Sequence, residues 1–259
     1  MTARIGVVFR PDFRPGTLRE TASAADAAGV DELWLWEDCF LQGGIAQASV
    51  ALASSETLTV GLGVLPAPLR NVVTTAMEIA TLEAMFPGRL RVGIGHGVQD
   101  WMRQAGAAVA SPLTLMREYV AALTELLAGR SVTVDGRYVR LADVRLDWAP
   151  QQRVPVLIGG AGPKTLALAG EISDGVILDS QYTSATVRDA LGHVTAGQAG
   201  QPESSFSTVL FLGCSADQAA TSAGPFFEAG VDTLVFQPQR SRTELADLIT
   251  AAGVVAAKR

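Results

Sequence analysis

Two histidines and two cysteines in 259 residues leave little material for a metal centre or a disulfide framework. His96 and His193 have no neighbours at metal-ligand spacing, so no metal is expected, and Cys39 and Cys214 read as free thiols. Positive charge is scarce too: 20 Lys and Arg against 26 Asp and Glu give a formal charge of -6, without any basic cluster. Nucleic-acid binding rests on neutralising several phosphates at once, and is therefore not expected. No apolar run approaches the ~20 residues that span a bilayer, and MTARIGVVF leads into a strand-like segment rather than a signal peptide. These absences predict a cytoplasmic protein with no membrane partner, working on a small-molecule substrate. Apolar residues, by contrast, are plentiful. At 48% hydrophobic the chain can bury a large core, and a single domain over residues 1–259 is expected.

Those apolar residues come in short, continuous, β-branched runs, the pattern of strands buried on both faces in a parallel sheet. Eight are counted: RIGVVF from Arg4, ELWLW from Glu32, LTVGLGV from Leu58, RLRVGIG from Arg89, VPVLIG from Val154, GVILD from Gly175, FSTVLFLG from Phe206 and DTLVF from Asp232. Ala-rich stretches with helical spacing separate them. Thr17 with Glu20, Ser215 with Gln218 and Ser241 with Glu244 fit the capping box, in which two backbone donors at a helix start are satisfied reciprocally. The helix exits repeat as well. In AAGVDELWLW and EAGVDTLVF a glycine suited to a left-handed C-cap precedes a strand by no more than three residues, and AGEISDGVIL follows more loosely. This alternation predicts an α/β fold of the (β/α)8 TIM-barrel type, rather than an open doubly wound sheet. Residues 131–148, SVTVDGRYVRLADVRLDW, break it: two strand-like runs around Asp135-Gly136 predict a β-hairpin inserted before the fifth strand. Such an insertion either packs only, or walls a pocket or a subunit contact.

RLRVGIGHGVQDW, from Arg89 to Trp101, invites comparison with a phosphate-cradling dinucleotide loop. The G-x-G-x-x-G pattern fails, because counting from Gly93 the sixth residue is Val98 and counting from Gly95 it is Asp100. In a barrel the glycines read differently. Gly93 makes room inside the strand. Gly95 and Gly97 lie at the mouth, where either bare backbone meets a flat ligand or a turn needs positive φ.

Catalytic groups of such a barrel lie on the loops after the strands. That filter selects Arg10, Glu37-Asp38-Cys39, Gly63-Val64-Leu65, Gly95-His96-Gly97, Gly159 to Lys164, Asp179-Ser180, Cys214 and Gln237 to Arg242. Within IGGAGPKTLALAG, the glycines and a Pro163 at the first helical position leave several N–H groups at the positive end of a helix dipole, an anion nest. Lys164 either supports an anion there, since the dipole alone disfavours a cation in a first turn, or is a solvated lysine on an ordinary βα turn. Asp38 follows a Trp-rich run and serves either in ring binding and proton transfer or as a solvated cap. His96, between two mouth glycines, either donates a proton to substrate or bonds a loop carbonyl. His193 falls in an Ala-rich helical stretch and reads as a surface residue. Neither cysteine has a basic neighbour that would make it a nucleophile.

Taken together, LWLWEDCF, GLGVLPAPLRNVVTTAMEIATLEAMFPGRLRVGIGHG and PVLIGGAGPKTLALAGEISDGVIL resemble the luciferase-like monooxygenase superfamily, and within it the branch that uses the deazaflavin coenzyme F420. The resemblance runs through most of the chain. It implies an oxidoreductase that passes a hydride between coenzyme F420 and a small organic substrate, with homodimers as the expected assembly. Asp38 then matches the acidic residue near the ring. Gly63-Val64, or Val64-Leu65, matches a bulge with a non-prolyl cis peptide behind the ring. Gly95, His96 and Gly97 match a loop beside the cofactor, and Gly159, Gly160, Ala161, Gly162 and Pro163 match the backbone that binds its phosphate-bearing side. Asp38 and His96 are the implied catalytic residues. Cys39 and Val98 stand where the sugar-phosphate dehydrogenases of the group carry a histidine and a glutamate, which speaks against that substrate. Glu37-Asp38-Cys39, where FMN-using members often carry a Glu-His-His stretch, favours deazaflavin over FMN. An FMN-dependent monooxygenase and a non-catalytic flavin- or deazaflavin-binding protein are the alternatives.

Overall fold

The protein was analysed as a computed structural model, which describes residues 3–200, 205–239 and 242–258. Each predicted run supplies one strand of a closed parallel barrel: β1 (Arg4–Phe9), β2 (Glu32–Leu35), β3 (Thr59–Pro66) and β4 (Leu90–Gly95) are followed, after a separate antiparallel hairpin of β5 (Val132–Asp135) and β6 (Arg140–Val144), by β7 (Val156–Gly159), β8 (Gly175–Leu178), β9 (Ser207–Gly213) and β10 (Thr233–Gln237). β10 pairs back onto β1, which closes the ring. The helices α1 (Leu18–Ala27), α2 (Gly44–Ala53), α3 (Val72–Met85), α4 (Gln99–Gln104), α5 (Pro112–Leu127), α6 (Pro163–Ile172), α7 (Ser184–Gln198), α8 (Ala216–Glu228) and α9 (Arg242–Ala256) alternate with them. Among the described residues, no helix is long and apolar enough to cross a membrane.

The helix exits follow the expected chemistry. Gly29 and Gly230 adopt φ of 73° and 102°, the left-handed values that a β-carbon disfavours. The loose third repeat shares a different feature with these two. Asp31, Asp174 and Asp232 each stand just before a strand, and their carboxylates accept the backbone N–H of Ile5 (2.7 Å), Val156 (2.9 Å) and Thr208 (2.8 Å) on the preceding strand. One carboxylate per unit thus pins successive strands in register. Capping is mixed. The Ser215–Gln218 box forms, with the Ser215 N–H donating to Gln218 Oε1 at 3.0 Å. The Thr17–Glu20 box does not: a 3-10 turn over Pro15–Thr17 starts the helical path earlier, so Thr17 is already in αR conformation and its hydroxyl donates to the Arg14 carbonyl. Ser241 lies outside the described residues. A Thr183–Thr186 box, not foreseen, caps α7.

The hairpin sits where expected, but its turn is longer than an Asp-Gly pair. Asp135 pairs with Arg140, Gly136 has no positive φ, and the Gly136 N–H donates to the Val139 carbonyl at 2.9 Å. The loop is set from outside: the Glu118 carboxylate on α5 accepts the N–H groups of Arg137, Tyr138 and Val139 at 3.0, 2.7 and 3.0 Å. That anchor overrides the local turn preference.

Inside the barrel a compact cluster of Val8, Trp34, Leu157, Ile177, Val209, Phe211 and Val235 is separate from the larger layer between strands and helices. Trp34 is fully buried, and a β-carbon on Gly61 would lie 2.3 Å from its ring. The glycines on β3 therefore make room for the indole, whose burial contributes about 2–3 kcal/mol. Below it, at the N-terminal pole, Glu32 is wholly buried and accepts from Trp34 Nε1 (2.7 Å) and Arg91 Nη1 (2.8 Å), with Arg4 Nε at 2.7 Å as an ion pair. Thr59 accepts from Arg4 Nη2, and Thr233 and Ser207 accept from Arg91 Nη1 and Nη2. These side chains line a hollow of about 410 Å³ at this pole, and the opposite pole carries the cleft at the barrel mouth.

Candidate active site

β3 carries one more residue than β4 between the pairs Leu62–Val92 and Leu65–Ile94, a bulge that falls on Gly63 and Val64. The Gly63–Val64 peptide is cis, and so is Cys39–Phe40. The bulge turns Val64 inward, and the neighbouring strands are stripped to receive it: a β-carbon on Gly95 or on Gly159 would each lie 2.5 Å from a Val64 methyl, and one on Gly93 would lie 3.1 Å from it. The alternating glycines of β4 thus seat a valine. Gly97 has another role, since its φ of 67° is the positive value a turn requires.

Val64 forms part of the wall of a cleft of about 360 Å³ at the C-terminal mouth. The same cleft is lined by Asp38, Gly63, Gly95, His96, Gly97, Gly159, Gly160 and Ala161, so nine of the eleven predicted site residues, Val64 included, meet in one place. Gly162 and Pro163 lie just beyond, exposed at the start of α6. The Ala161 and Gly162 N–H groups donate to no backbone acceptor among the described residues and sit at the positive end of α6, as an anion nest requires. Tyr182 holds this turn by donating its hydroxyl to the Ala161 carbonyl at 2.8 Å.

Two carboxylates side by side on the β2 loop have different surroundings. Glu37 accepts from Arg70 Nη1 at 3.3 Å and from the Gly44 N–H, at the start of α2, at 2.6 Å. The Asp38 carboxylate accepts no hydrogen bond from the described residues, and burial pushes it above the usual aspartate value, with Arg10 opposing the rise and Asp12 adding to it. His96 places Nδ1 3.1 Å from the Gly97 carbonyl. A carbonyl only accepts, so Nδ1 carries the proton, and a neutral ring presents Nε2 as a base. Of the cysteines, Cys214 is buried, with its thiol pushed up to about 11, and half-buried Cys39 is raised by burial and by the charges of Glu37 and Asp38. His193 is exposed on α7.

The sequence reading missed Trp36, Val98, Trp101, Met102, Ile177 and Phe211, all of which line the cleft. The strand-end filter stopped at Gly97, but the chain turns directly into α4 and brings Trp101 and Met102 back over the mouth. Phe211 lies 5.5 Å from Trp36, ring centre to ring centre. Asp179, selected by that filter but not placed in the site, also faces the cleft, its carboxylate oxygens accepting from the Gln181 N–H and Nε2 at 3.0 Å each.

Comparison with known proteins agrees with this architecture. The chain is 28% identical over 220 residues to a 5,10-methylenetetrahydromethanopterin reductase of Methanolobus tindarius, covering 84% of this chain and 67% of that one. It is 30% identical over 196 residues to an F420-dependent glucose-6-phosphate dehydrogenase of Nakamurella multipartita, over 69% of this chain and little more than half, 56%, of the relative. The solved structure of an F420-dependent secondary alcohol dehydrogenase in complex with an F420–acetone adduct superposes with a TM-score of 0.87 at 18% identity, over 99% of both chains. Residues 3–249 match the model of the luciferase-like monooxygenase family, to which this chain belongs.

Proposed function

We propose that the protein is an oxidoreductase that uses the deazaflavin coenzyme F420 to pass a hydride to or from a small organic substrate at this cleft. The observation that carries the reading is the meeting, in one cleft, of Asp38, the Val64 platform, the His96 loop and the Gly159–Ala161 turn. The F420-dependent relatives support it.

The residues present fit such a group. Val64, seated over Gly95 and Gly159, offers an apolar surface for a flat ring, and the free N–H groups before α6 suit a phosphate. Asp179 faces the cleft from β8, so an anion is repelled from that side and settles toward Gly162 and Lys164. When bound, the deazaflavin supplies the two-electron chemistry, and the protein supplies position and electrostatics. Asp38 keeps its proton to higher pH than an ordinary aspartate and so serves as acid or hydrogen-bond donor at the mouth. His96, with Nδ1 tied to a carbonyl, accepts a proton at Nε2. Trp101 and Met102 reduce the access of water. A cytoplasmic homodimer belongs to the same reading, and sedimentation of the purified protein measures the assembly.

Titrating the protein separately with coenzyme F420 and with FMN tests the proposal. At least tenfold tighter binding of coenzyme F420 is expected, weakened by Asp38→Ala. Tight FMN binding with none for coenzyme F420 would overturn it in favour of a flavin monooxygenase. Bound reduced cofactor that no substrate oxidises, in a broad screen, would point to a binding protein without turnover.

A further inference from the structure

Resting on the deazaflavin reading, we infer that the substrate carries no anionic group: it is an apolar body with one hydrogen-bonding atom, held above the ring between Trp36 and the α4 segment. The barrel strands build the floor of the cleft from Val64, Ile177 and Phe211, which leaves the walls to loop residues: Trp36 on one side and Val98, Trp101 and Met102 on the other. These walls are apolar or aromatic. The charged groups that join them are all carboxylates, namely Glu37, Asp38 and Asp179, and among the described residues no lysine or arginine lines the cleft.

Among the described residues, the nearby arginines are already engaged. Arg10 grips both oxygens of Asp12 at 3.0 and 3.1 Å and donates to the carbonyls of Pro238 and Gln239. Arg70 bridges Glu37 and Glu78, and Arg103 pairs with Asp100. Lys164 is exposed, but it stands beside the turn that the proposed cofactor's phosphate would occupy. A substrate carboxylate or phosphate would therefore lose its hydration in a partly desolvated space beside Asp179, with no counter-charge among the described residues. The same placement is harmless to an uncharged alcohol or ketone, whose oxygen has Asp38 or His96 within the same cleft.

The protein saturated with oxidised coenzyme F420 is titrated by calorimetry with three probes: cyclohexanol, cyclohexanecarboxylate and glucose 6-phosphate. Cyclohexanol is expected to bind at least about tenfold more tightly than either anion. A second arm uses Val98→Arg, at a rim position that is 49% exposed, which is expected to raise the affinity for cyclohexanecarboxylate about tenfold relative to that for cyclohexanol. Cyclohexanol binding no tighter than the carboxylate overturns the inference, as does a ratio of the two affinities unmoved by V98R. Failure to saturate with coenzyme F420 is seen before any probe is added and overturns the cofactor reading with it, whereas saturation followed by anion binding overturns the substrate class alone.

Discussion

Glu32 opens β2 at the N-terminal pole of the barrel, and Asp38 follows the end of the same strand at the open mouth. Glu32 is wholly buried and surrounded by donors, with two arginines and the Trp34 indole on its two oxygens. Asp38 is only partly buried, yet its carboxylate accepts no hydrogen bond from the described residues, and burial raises its pKa. The difference separates two uses of a charge. A carboxylate held between two arginines and an indole serves structure, whereas one that is desolvated and unmatched is poised to exchange a proton. The more deeply buried acid is thus the less reactive one.

Removing Glu32 sharpens this contrast most. Glu32→Leu leaves Arg91, whose side chain is 12% exposed, and Arg4 without their counter-ion, and is expected to destabilise the fold by about 3–5 kcal/mol in chemical denaturation. Glu32→Gln keeps an acceptor for Trp34 Nε1 and should lose less. A Glu32→Leu variant as stable as the parent would show that the N-terminal pole is no more dependent on its charge than the mouth.

The Val64 seat comes next. Gly95→Ala places a β-carbon 2.5 Å from a Val64 methyl, and overpacking of this kind costs about 1–3 kcal/mol. Because the displaced valine is the proposed ring platform, coenzyme F420 affinity should fall with it, by about tenfold. Val64→Ala removes the offending methyl, so the double variant should recover part of the stability lost, a coupling that a thermodynamic cycle measures. Additive effects would mean that Gly95 and Val64 are not one unit.

This pair also explains how far the sequence could be read. Eight apolar runs with turn residues between them identify a parallel barrel, because strand burial and helix capping are local signals. The mouth residues follow from the fold, since in a barrel the position of a loop is set by strand order. Val64's seat was not readable from spacing: GIGHG looks like a loop bared for a ligand, and only the bulge, a non-local register shift, puts a valine over Gly95. The Asp135-Gly136 pair marked the hairpin but not the length of its turn, because Glu118, on a different element, dictates that loop. Trp101 and Met102 were missed because a six-residue helix folds back over the mouth.

Glu118 is the half-buried counterpart of Glu32: it too accepts several donors, but next to solvent. Against a desolvation penalty that acts the other way, the N–H groups of Tyr138, Val139 and Arg137 hold its carboxyl below the usual glutamate value. A depressed folded value contributes stability above the ordinary glutamate range, and that stability is lost as pH falls through the folded value. Glu118→Gln should cost about 1 kcal/mol at neutral pH, small because solvent screens the site, and less in acid. An effect as large as that of Glu32→Leu would erase the distinction between buried and half-buried satisfaction of a carboxylate.

Asp38→Asn is expected to have the smallest effect on stability, and of the opposite sign. Burial raises the folded-state value above 3.8, so the folded protein holds this proton more tightly than the unfolded chain. Stability from that source is full below the ordinary aspartate range and drains away as pH rises through the raised value. Asparagine does not titrate, so the variant should gain on the parent between acid and neutral pH and be no less stable at pH 7. Solvent reaching the cleft keeps the gain small. Denaturation midpoints of both proteins at several pH values measure it. A variant that instead loses ground as pH rises would mean that the Asp38 charge is matched after all, as Glu32's is, and that the open pole stores no proton for chemistry.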